Sequence, residues 1–453
     1  MDLDAVFLSR VQFGFTIAFH ILFPTLTIGL GGFLAIVEAM WLKTGAEHWE
    51  RLFRFWVRVF GLAFGLGVVT GVVLSYEIGT NFSRFSAITG NVLGPLMSYE
   101  VLTAFFLEAG FIGIMLFGWG RVGPRLHFLA TVMVVVGTLI SAFWIIAANS
   151  WMQTPAGHVL RDGVFHVESW WAVIFNPSTV LRVAHMVLAS YITAMFVIAG
   201  VSALHLLQRR EAETATRALK LSLGLAAVLV PLQVIVGDLS GLLVREHQPM
   251  KLAAIEARWE TMRGAPLTLV GWPDQAAETN RYEIDVPRLG SLILTHEWDG
   301  EIKGLKEVPP QDRPYVPLVF WSFRVMVGIG LAMLGMAWLG AWLMWRRRLV
   351  EARWFLLLLL PMVPLGFVAT LAGWLTAEVG RQPWVVYGLL RTADAVSPVA
   401  AGAVGTSLLL FVLVYNLLLI AYLWYLTRLV WYGPVGPAEK VDAVQGLAAR
   451  AVE

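Results

Sequence analysis

Nine apolar segments, each long enough to cross a lipid bilayer, constrain the fold of this chain more than any other feature of its sequence. They lie near residues 13–41, 51–77, 95–118, 126–149, 180–207, 218–238, 317–345, 354–377 and 401–427. A helix needs about 20 apolar residues to span the hydrocarbon core, and inside that core it satisfies its own backbone hydrogen bonds. The sequence therefore predicts an all-α integral membrane protein, a bundle of nine transmembrane helices.

The composition excludes several other classes of protein. Charged residues make up only 14% of the chain, against about 25% in soluble proteins. The 33 basic and 31 acidic residues nearly balance, so nothing indicates a nucleic-acid partner. Cysteine is absent, which excludes disulfides, iron–sulfur clusters and thiolate haem and leaves His, Met and carboxylates as metal ligands. The first residues, MDLDAVFLSR, have no basic stretch, so we expect no cleaved signal peptide.

The positions of Lys and Arg predict the orientation of the bundle. Alternate connections are rich in these residues and contain Lys43, Arg51, Arg54, Arg58, Arg121, Arg125, Arg209, Arg210, Arg217, Lys220, Arg346, Arg347, Arg348, Arg353, Arg428 and Lys440. Because basic connections stay in the cytoplasm, we expect the N-terminus outside and the C-terminus in the cytoplasm. The predicted organisation is 1–238 for spans one to six, 239–316 for an extracytoplasmic loop, 317–430 for spans seven to nine and 431–453 for a cytoplasmic tail.

The predicted loop, residues 239–316, differs from the other connections. It is rich in charged residues and proline, and it contains one amphipathic stretch, LAAIEARW. Loops of this length inside a compact protein are usually functional or disordered. Glu256 lies in the amphipathic stretch, and Lys251 lies directly before it. From the residues alone, an exposed helix with ordinary charge pairs explains them, and such pairs contribute little to stability.

Six side chains that can bind a metal or a proton fall in the outer halves of the predicted spans: His20, Glu100, Glu108, His185, Met326 and Glu378. Ionisable residues at membrane depth are costly, and each one is a functional hypothesis. Histidine and methionine together, without cysteine, favour haem ligation over other metal chemistry. An imidazole and a thioether suit a six-coordinate electron-transfer haem, and a second imidazole and a carboxylate suit haems that are open to oxygen.

Each of these residues also has a structural explanation. His20 and His185 can be hydrogen-bonded core residues, and Met326 can be ordinary packing. Glu378, three residues before Arg381, can form an interfacial ion pair. Two further histidines, His127 and His205, are predicted at cytoplasmic helix ends, where the helix dipole or an extended side chain accounts for them.

Five motifs together resemble the haem-bearing subunit I of cytochrome bd quinol oxidases. They are GWLTAEVGRQPW, FWSFRVMVG, NSWMQTPAG, SRVQFGFTIAFHILFP and KLAAIEARWE. The resemblance runs through all nine spans, and GRQPW is its most specific string. It implies a bundle of nine transmembrane helices with an outward quinol-binding loop, the Q-loop, between helices six and seven. The loop here is of the short form.

The resemblance also implies a role for individual residues. His185 and Met326 match the ligands of a low-spin haem b, with Arg324 beside it. His20 and Glu378 match the ligands of two high-spin haems, one of type b and the other haem d or a further b-type haem. Trp374 matches an aromatic residue between the haems, and Arg381 belongs to the cofactor-binding motif. Lys251 and Glu256 match a quinol-interacting pair, and Glu100, Glu108 and Ser141 match a proton path.

The function that the resemblance implies is oxidation of quinol at the outer face and reduction of O2 to water, which generates a proton motive force without pumping. The expected partners are ubiquinol or menaquinol, O2, membrane lipid, a subunit II of the oxidase and a small single-helix subunit, in the bacterial inner membrane. The alternative from the residues alone is a secondary transporter that uses the buried carboxylates. We find no internal repeat of the kind many transporters show.

Overall fold

A computed structural model describes residues 4–434 of the chain. Within them, nine helical segments are long and apolar enough to cross a membrane, which confirms the predicted fold class. The segments are Ala5–Thr44, Glu47–Asn81, Ser83–Phe117, Pro124–Gln153, Trp170–Leu207, Ala212–His247, Pro310–Trp345, Arg353–Val379 and Ala401–Tyr432. Of the predicted tail 431–453, residues 435–453 lie outside the described part.

Several of these segments contain more than one helix. The α-helices are α1 (Ala5–Thr44), α2 (Glu47–Asn81), α3 (Ser83–Tyr99), α4 (Phe106–Phe117), α5 (Pro124–Gln153), α6 (Trp170–Ile174), α7 (Thr179–Leu207), α8 (Ala212–His247), α9 (Pro249–Ile255), α10 (Leu289–Thr295), α11 (Val316–Trp345), α12 (Arg353–Leu359), α13 (Met362–Val379), α14 (Thr392–Ala395) and α15 (Ala401–Tyr432). A π-helical turn, Glu100–Phe105, joins α3 to α4. Single π turns inside α-helices are rare and often occur at functional sites.

Local sequence signals set the helix ends. Asp4 caps α1, because its Oδ1 accepts a hydrogen bond from the backbone N–H of Phe7 at 2.6 Å. The helix ends at Gly45, whose φ of 64° places it in the left-handed region that glycine adopts easily. The run GDLSGLLVREH continues α8 to His247, past the predicted boundary at residue 238, and Pro249 then begins α9.

The strands form four small two-stranded antiparallel sheets at the connections. They are β1 (His158–Arg161) with β2 (Val164–Val167), β3 (Met262–Arg263) with β6 (Glu301–Ile302), β4 (Leu267–Asp274) with β5 (Thr279–Val286), and β7 (Trp384–Val386) with β8 (Leu390–Arg391). Two short 3₁₀ turns, Leu305–Glu307 and Pro310–Asp312, complete the long loop. The end of the bundle that carries residues 248–315 is called the loop end below.

The helical core forms around α1 and α7, whose apolar windows are the most buried of the nine. Phe33, Leu34 and Phe60 are almost fully enclosed there. Four further packing relations matter for the site: α7 packs against α8 and α13, and α11 packs against the same two helices. These four helices therefore form a ring in which α7 and α11 face each other.

Candidate functional site

His185 and Met326 come from the two facing helices of the ring. His185 lies on α7 and Met326 on α11, about two to three helical turns from the loop end of each helix. A methyl group added at Gly237 of α8 would lie 3.6 Å from the His185 Cε1, and one at Gly373 of α13 would lie 2.7 Å from the Met326 Sδ. Both side chains therefore approach helices that carry glycine at the point of contact.

This arrangement fits a bound haem. The Nδ1 of His185 is buried and has no hydrogen-bond partner. An unpaired buried polar atom is energetically costly, and a group bound against the imidazole ring would account for it. An imidazole and a thioether on opposite sides of one helical ring are a donor pair that could hold a six-coordinate haem. Gly237 and Gly373, on the two flanking helices, leave space beside His185 and Met326 that a larger side chain would fill.

His20 has a defined orientation on α1. Its Nδ1 lies 2.9 Å from the Thr70 Oγ1, and that hydroxyl donates its own proton to the Leu66 carbonyl. The Thr70 oxygen therefore accepts from the His20 Nδ1–H, and Nε2 is the nitrogen left for a metal. Such a partner on the second nitrogen is the usual way to fix a metal-ligating histidine. Gly71 leaves space beside the ring, since a Cβ there would lie 3.2 Å from the His20 Cε1.

Glu378 lies at the last turn of α13 in a buried polar network. Its Oε1 accepts hydrogen bonds from the Asn149 amide at 3.1 Å and from the Gln153 amide at 3.0 Å. Its Oε2 pairs with Arg381. The ion pair that the sequence suggested as a structural explanation is thus present. The pair is buried, because the Arg381 side chain is only 5% exposed.

Positive charge exceeds negative charge in this network. Arg182, Arg381 and Lys251 lie close enough to Glu378 to interact electrostatically with it. The Nε groups of both arginines are buried without a partner. Buried charges are normally matched. Three basic side chains around one carboxylate are not matched, so an additional anionic group would balance their charge. The two propionates of a haem have that chemistry.

Lys251 and Glu256 are both buried, so the exposed-helix explanation is wrong. They are 3% and 2% exposed, because α9 packs under the loop rather than along its surface. They also point to different partners: the Lys251 Nζ donates to the Gln153 Oε1 at 2.6 Å, and the Glu256 Oε2 lies 3.3 Å from the Arg324 Nη2. Burial lowers the pKa of Lys251 and raises the pKa of Glu256 against the opposing effect of Arg324.

Arg324 ties the loop to α11, two residues before Met326. Its Nε donates to the Thr268 carbonyl at 2.9 Å and its Nη1 to the Ile255 carbonyl at 2.6 Å. The guanidinium carbon also lies 3.4 Å from the centre of the Phe320 ring. These contacts join the start of β4 and the end of α9 to the helix that carries Met326.

Glu100 and Glu108 both face α5. The Ser141 hydroxyl donates to the Glu100 Oε1 at 2.7 Å, and the Glu108 side chain packs at Gly137. Both carboxylates therefore lie on the face of their span that packs against α5, although the π turn that begins at Glu100 interrupts the α-helix between them. Trp374 is half-buried on α13, directly after the glycine that faces Met326.

The structure also contains buried polar residues that the sequence reasoning missed. His127 is enclosed, and its Nδ1 lies 2.6 Å from the Glu38 Oε1, so neither the helix dipole nor an extended side chain explains it. His127 lies in the first turn of α5, where the dipole disfavours a positive charge. Glu77 on α2 is buried with neither oxygen hydrogen-bonded. Glu38 and Glu77 are ionisable residues inside predicted spans, so the membrane-depth criterion could have found both.

His205, in contrast, fits a helix-end position. It lies in the last turn of α7, and its Nε2 bonds to the Val430 carbonyl at 2.8 Å.

The fold and the site define a polytopic helical membrane protein whose candidate metal-binding side chains occur singly. Within residues 4–434, no three His, Asp or Glu side chains converge to hold a bare metal ion. Haem needs only one or two axial ligands from the protein, so dispersed single ligands suit it.

The comparisons with known proteins give the family. Residues 8–434 match the family model of cytochrome bd terminal oxidase subunit I, and the chain belongs to that family. It is 37% identical over 428 residues to cytochrome bd ubiquinol oxidase subunit 1 of Bacillus subtilis, which covers 91% of this chain and 90% of the relative. It is 33% identical to cytochrome bd-II ubiquinol oxidase subunit 1 of Escherichia coli, over 95% of this chain and 97% of the relative.

A solved structure agrees in fold. The bd oxidase from Geobacillus thermodenitrificans superposes with a TM-score of 0.88 at 33% identity, over 95% of this chain and 99% of the solved chain. The resemblance inferred from the five motifs is confirmed. Cytochromes are haem proteins, so the family has haem as its cofactor, and the transporter alternative falls away.

Proposed function

We propose that this chain is the haem-bearing subunit of a terminal quinol oxidase of the bacterial inner membrane, which oxidises quinol and reduces O2. The observation that carries the proposal is the pair His185 and Met326 on facing helices, with a buried unpartnered Nδ1 and glycines on both flanking helices. The bilayer crossings and the family name of the relatives agree with it.

The ligand set suggests three haems. His185 and Met326 would hold a low-spin haem b, while His20 and Glu378 would each hold a high-spin haem, one of type b and one haem d or a further haem b. When bound, these groups carry electrons from quinol to O2. The chain's own contribution is to orient them: Thr70 fixes the His20 ring, and Asn149 with Gln153 fixes the Glu378 carboxylate.

Quinol would be oxidised at the loop, and Glu256 is our candidate for the proton acceptor. Its pKa is raised by burial, which brings it nearer to neutral pH, where a general base works best. Arg324 holds the carboxylate in place. Lys251 faces Gln153 instead of Glu256, so we assign it to the support of the Glu378 network.

Protons for water would travel along α5 past Glu108 to Glu100 and Ser141. With the positive-inside orientation, the loop lies outside, so proton release outside and uptake from the cytoplasm would build a proton motive force without a pump. Ubiquinol or menaquinol is the expected donor. A subunit II and a small single-helix subunit are the expected protein partners.

The test uses membranes of a host that lacks its own quinol oxidases and produces this chain with its partner subunit. We expect quinol-driven O2 uptake and a haem absorbance spectrum. His185→Ala should remove the low-spin haem signal and the quinol activity. The matched control is His48→Ala, a histidine in the first turn of α2 whose Nδ1 contacts Glu213 at 3.3 Å. Equal spectra in His185→Ala and the control would overturn the assignment.

A further inference from the structure

Gln153 occupies a junction between the long loop and the end of α13. It is the last residue of α5 and is 2% exposed. Its Oε1 accepts from the Lys251 Nζ at 2.6 Å and from the Gln248 Nε2 at 3.1 Å. Its own Nε2 donates to the Glu378 Oε1 at 3.0 Å. One planar amide therefore faces the loop with its oxygen and Glu378 with its nitrogen.

The hydrogen-bonding of Lys251 depends on this amide. Gln153 is the acceptor that the described residues provide for the Lys251 Nζ. Gln248, from the turn that begins α9, also donates to the Gln153 backbone carbonyl at 2.5 Å. The first turn of the loop is thus fixed to the end of α5 by three hydrogen bonds, all of which end on Gln153.

A cavity that opens to the surface lies beside this junction. It has a volume of about 340 Å³ and is lined by Gln153, His158, His247 and Tyr387 among others. Because Gln153 contributes to its wall, a change in the loop or in the contents of the cavity acts on the same amide that bonds Glu378. Hydrogen bonds in a buried chain polarise one another, so a donor on the amide oxygen strengthens the N–H on the other side as a donor.

We propose that Gln153 is a positioning residue that couples Lys251 of the loop to the haem held by Glu378. This inference rests on the proposed function, in which Glu378 is a haem ligand. The Gln153 N–H draws electron density from the carboxylate, and a carboxylate that donates less density favours the reduced iron. Lys251 increases this effect through the amide. Quinol binding next to α9 and the potential of the haem at Glu378 are therefore linked.

The test is a double-mutant cycle read as haem midpoint potentials in the complete oxidase. Gln153→Met keeps the length of the side chain but removes its hydrogen bonds with Lys251, Gln248 and Glu378, so the potential of the Glu378-associated haem should shift downward. The potential of the low-spin haem at His185 and Met326 should stay unchanged. Lys251→Met should also lower the potential when Gln153 is present, and should lower it less when Gln153 is Met, because only the direct electrostatic effect of Lys251 on Glu378 then remains.

The controls separate coupling from loss of structure. Gln208→Met is the matched control: this glutamine caps the far end of α7, and the haem potentials should equal those of the unchanged enzyme. Gln153→Glu keeps an oxygen for Lys251 and removes the N–H toward Glu378, so it should assemble and still lower the potential. Additive shifts in the cycle, or an unchanged potential in haem-loaded Gln153→Met, would overturn the coupling. An unchanged enzyme without haem would instead overturn the proposed function.

Discussion

Replacing Glu256 by glutamine tests the loop's role in quinol oxidation. The change keeps the size of the side chain and removes the base. Arg324 loses one charge-assisted hydrogen bond, from the 3.3 Å contact with Glu256, and keeps its bonds to the carbonyls of Thr268 and Ile255. A hydrogen bond to a charged group contributes about 1.5–3 kcal/mol. Since the membrane bundle is unaffected, the protein should fold and bind all of its haems.

The effect on catalysis should be much larger than the effect on stability. A positioned general base contributes about 10²–10⁴-fold, so quinol-driven O2 uptake in Glu256→Gln should fall by at least about 10²-fold. O2 uptake driven by an artificial donor that reduces the haems directly should stay near normal. The matched control is Glu213→Gln, a carboxylate with 69% of its side chain exposed. Equal loss of both activities in Glu256→Gln would mean that this carboxylate supports the fold rather than the substrate.

Four further outcomes are expected. Because burial raises the pKa of Glu256 and only its carboxylate accepts a proton, quinol oxidation should rise with pH through that raised pKa, and Glu256→Gln should lose this rise in a rate–pH profile. Met326→Leu should convert the low-spin haem to high-spin or lower its potential, and an unchanged reduced-minus-oxidised spectrum would refute the ligand assignment. Glu378→Ala should lose a high-spin haem and O2 uptake together; wild-type O2 uptake would make Glu378 structural. Since the chain lacks cysteine, Tyr282→Cys in the loop should react with an impermeant maleimide in whole cells, and Arg347→Cys only after permeabilisation; the reverse pattern would invert the predicted orientation.

The nine spans were predictable because each depends only on local composition. Twenty apolar residues exclude nearly every other structure in a bilayer, and the predicted segments fall within the helical segments of the structure except for Gly118, one residue past the third. The end of α8 was less predictable. Its last three turns are polar enough to resemble a loop, yet they contain no proline before Pro249.

The polar network around Glu378 could not be predicted from sequence. Asn149, Gln153 and Arg182 are ordinary residues of two different helices, and only packing of α5 and α7 beside the end of α13 brings them to one carboxylate. The same holds for Lys251. Its motif suggested a partnership with Glu256, whereas the direction of the short helix α9 sends the two side chains to different neighbours.

The central claim is that this chain binds haem through single ligands on separate helices. The most direct test is the ratio of haem to protein in the purified oxidase, measured for the unchanged chain and for His185→Ala. We expect three haems per chain, with one lost in His185→Ala and the high-spin signals retained. A haem content that is the same in both proteins would contradict it.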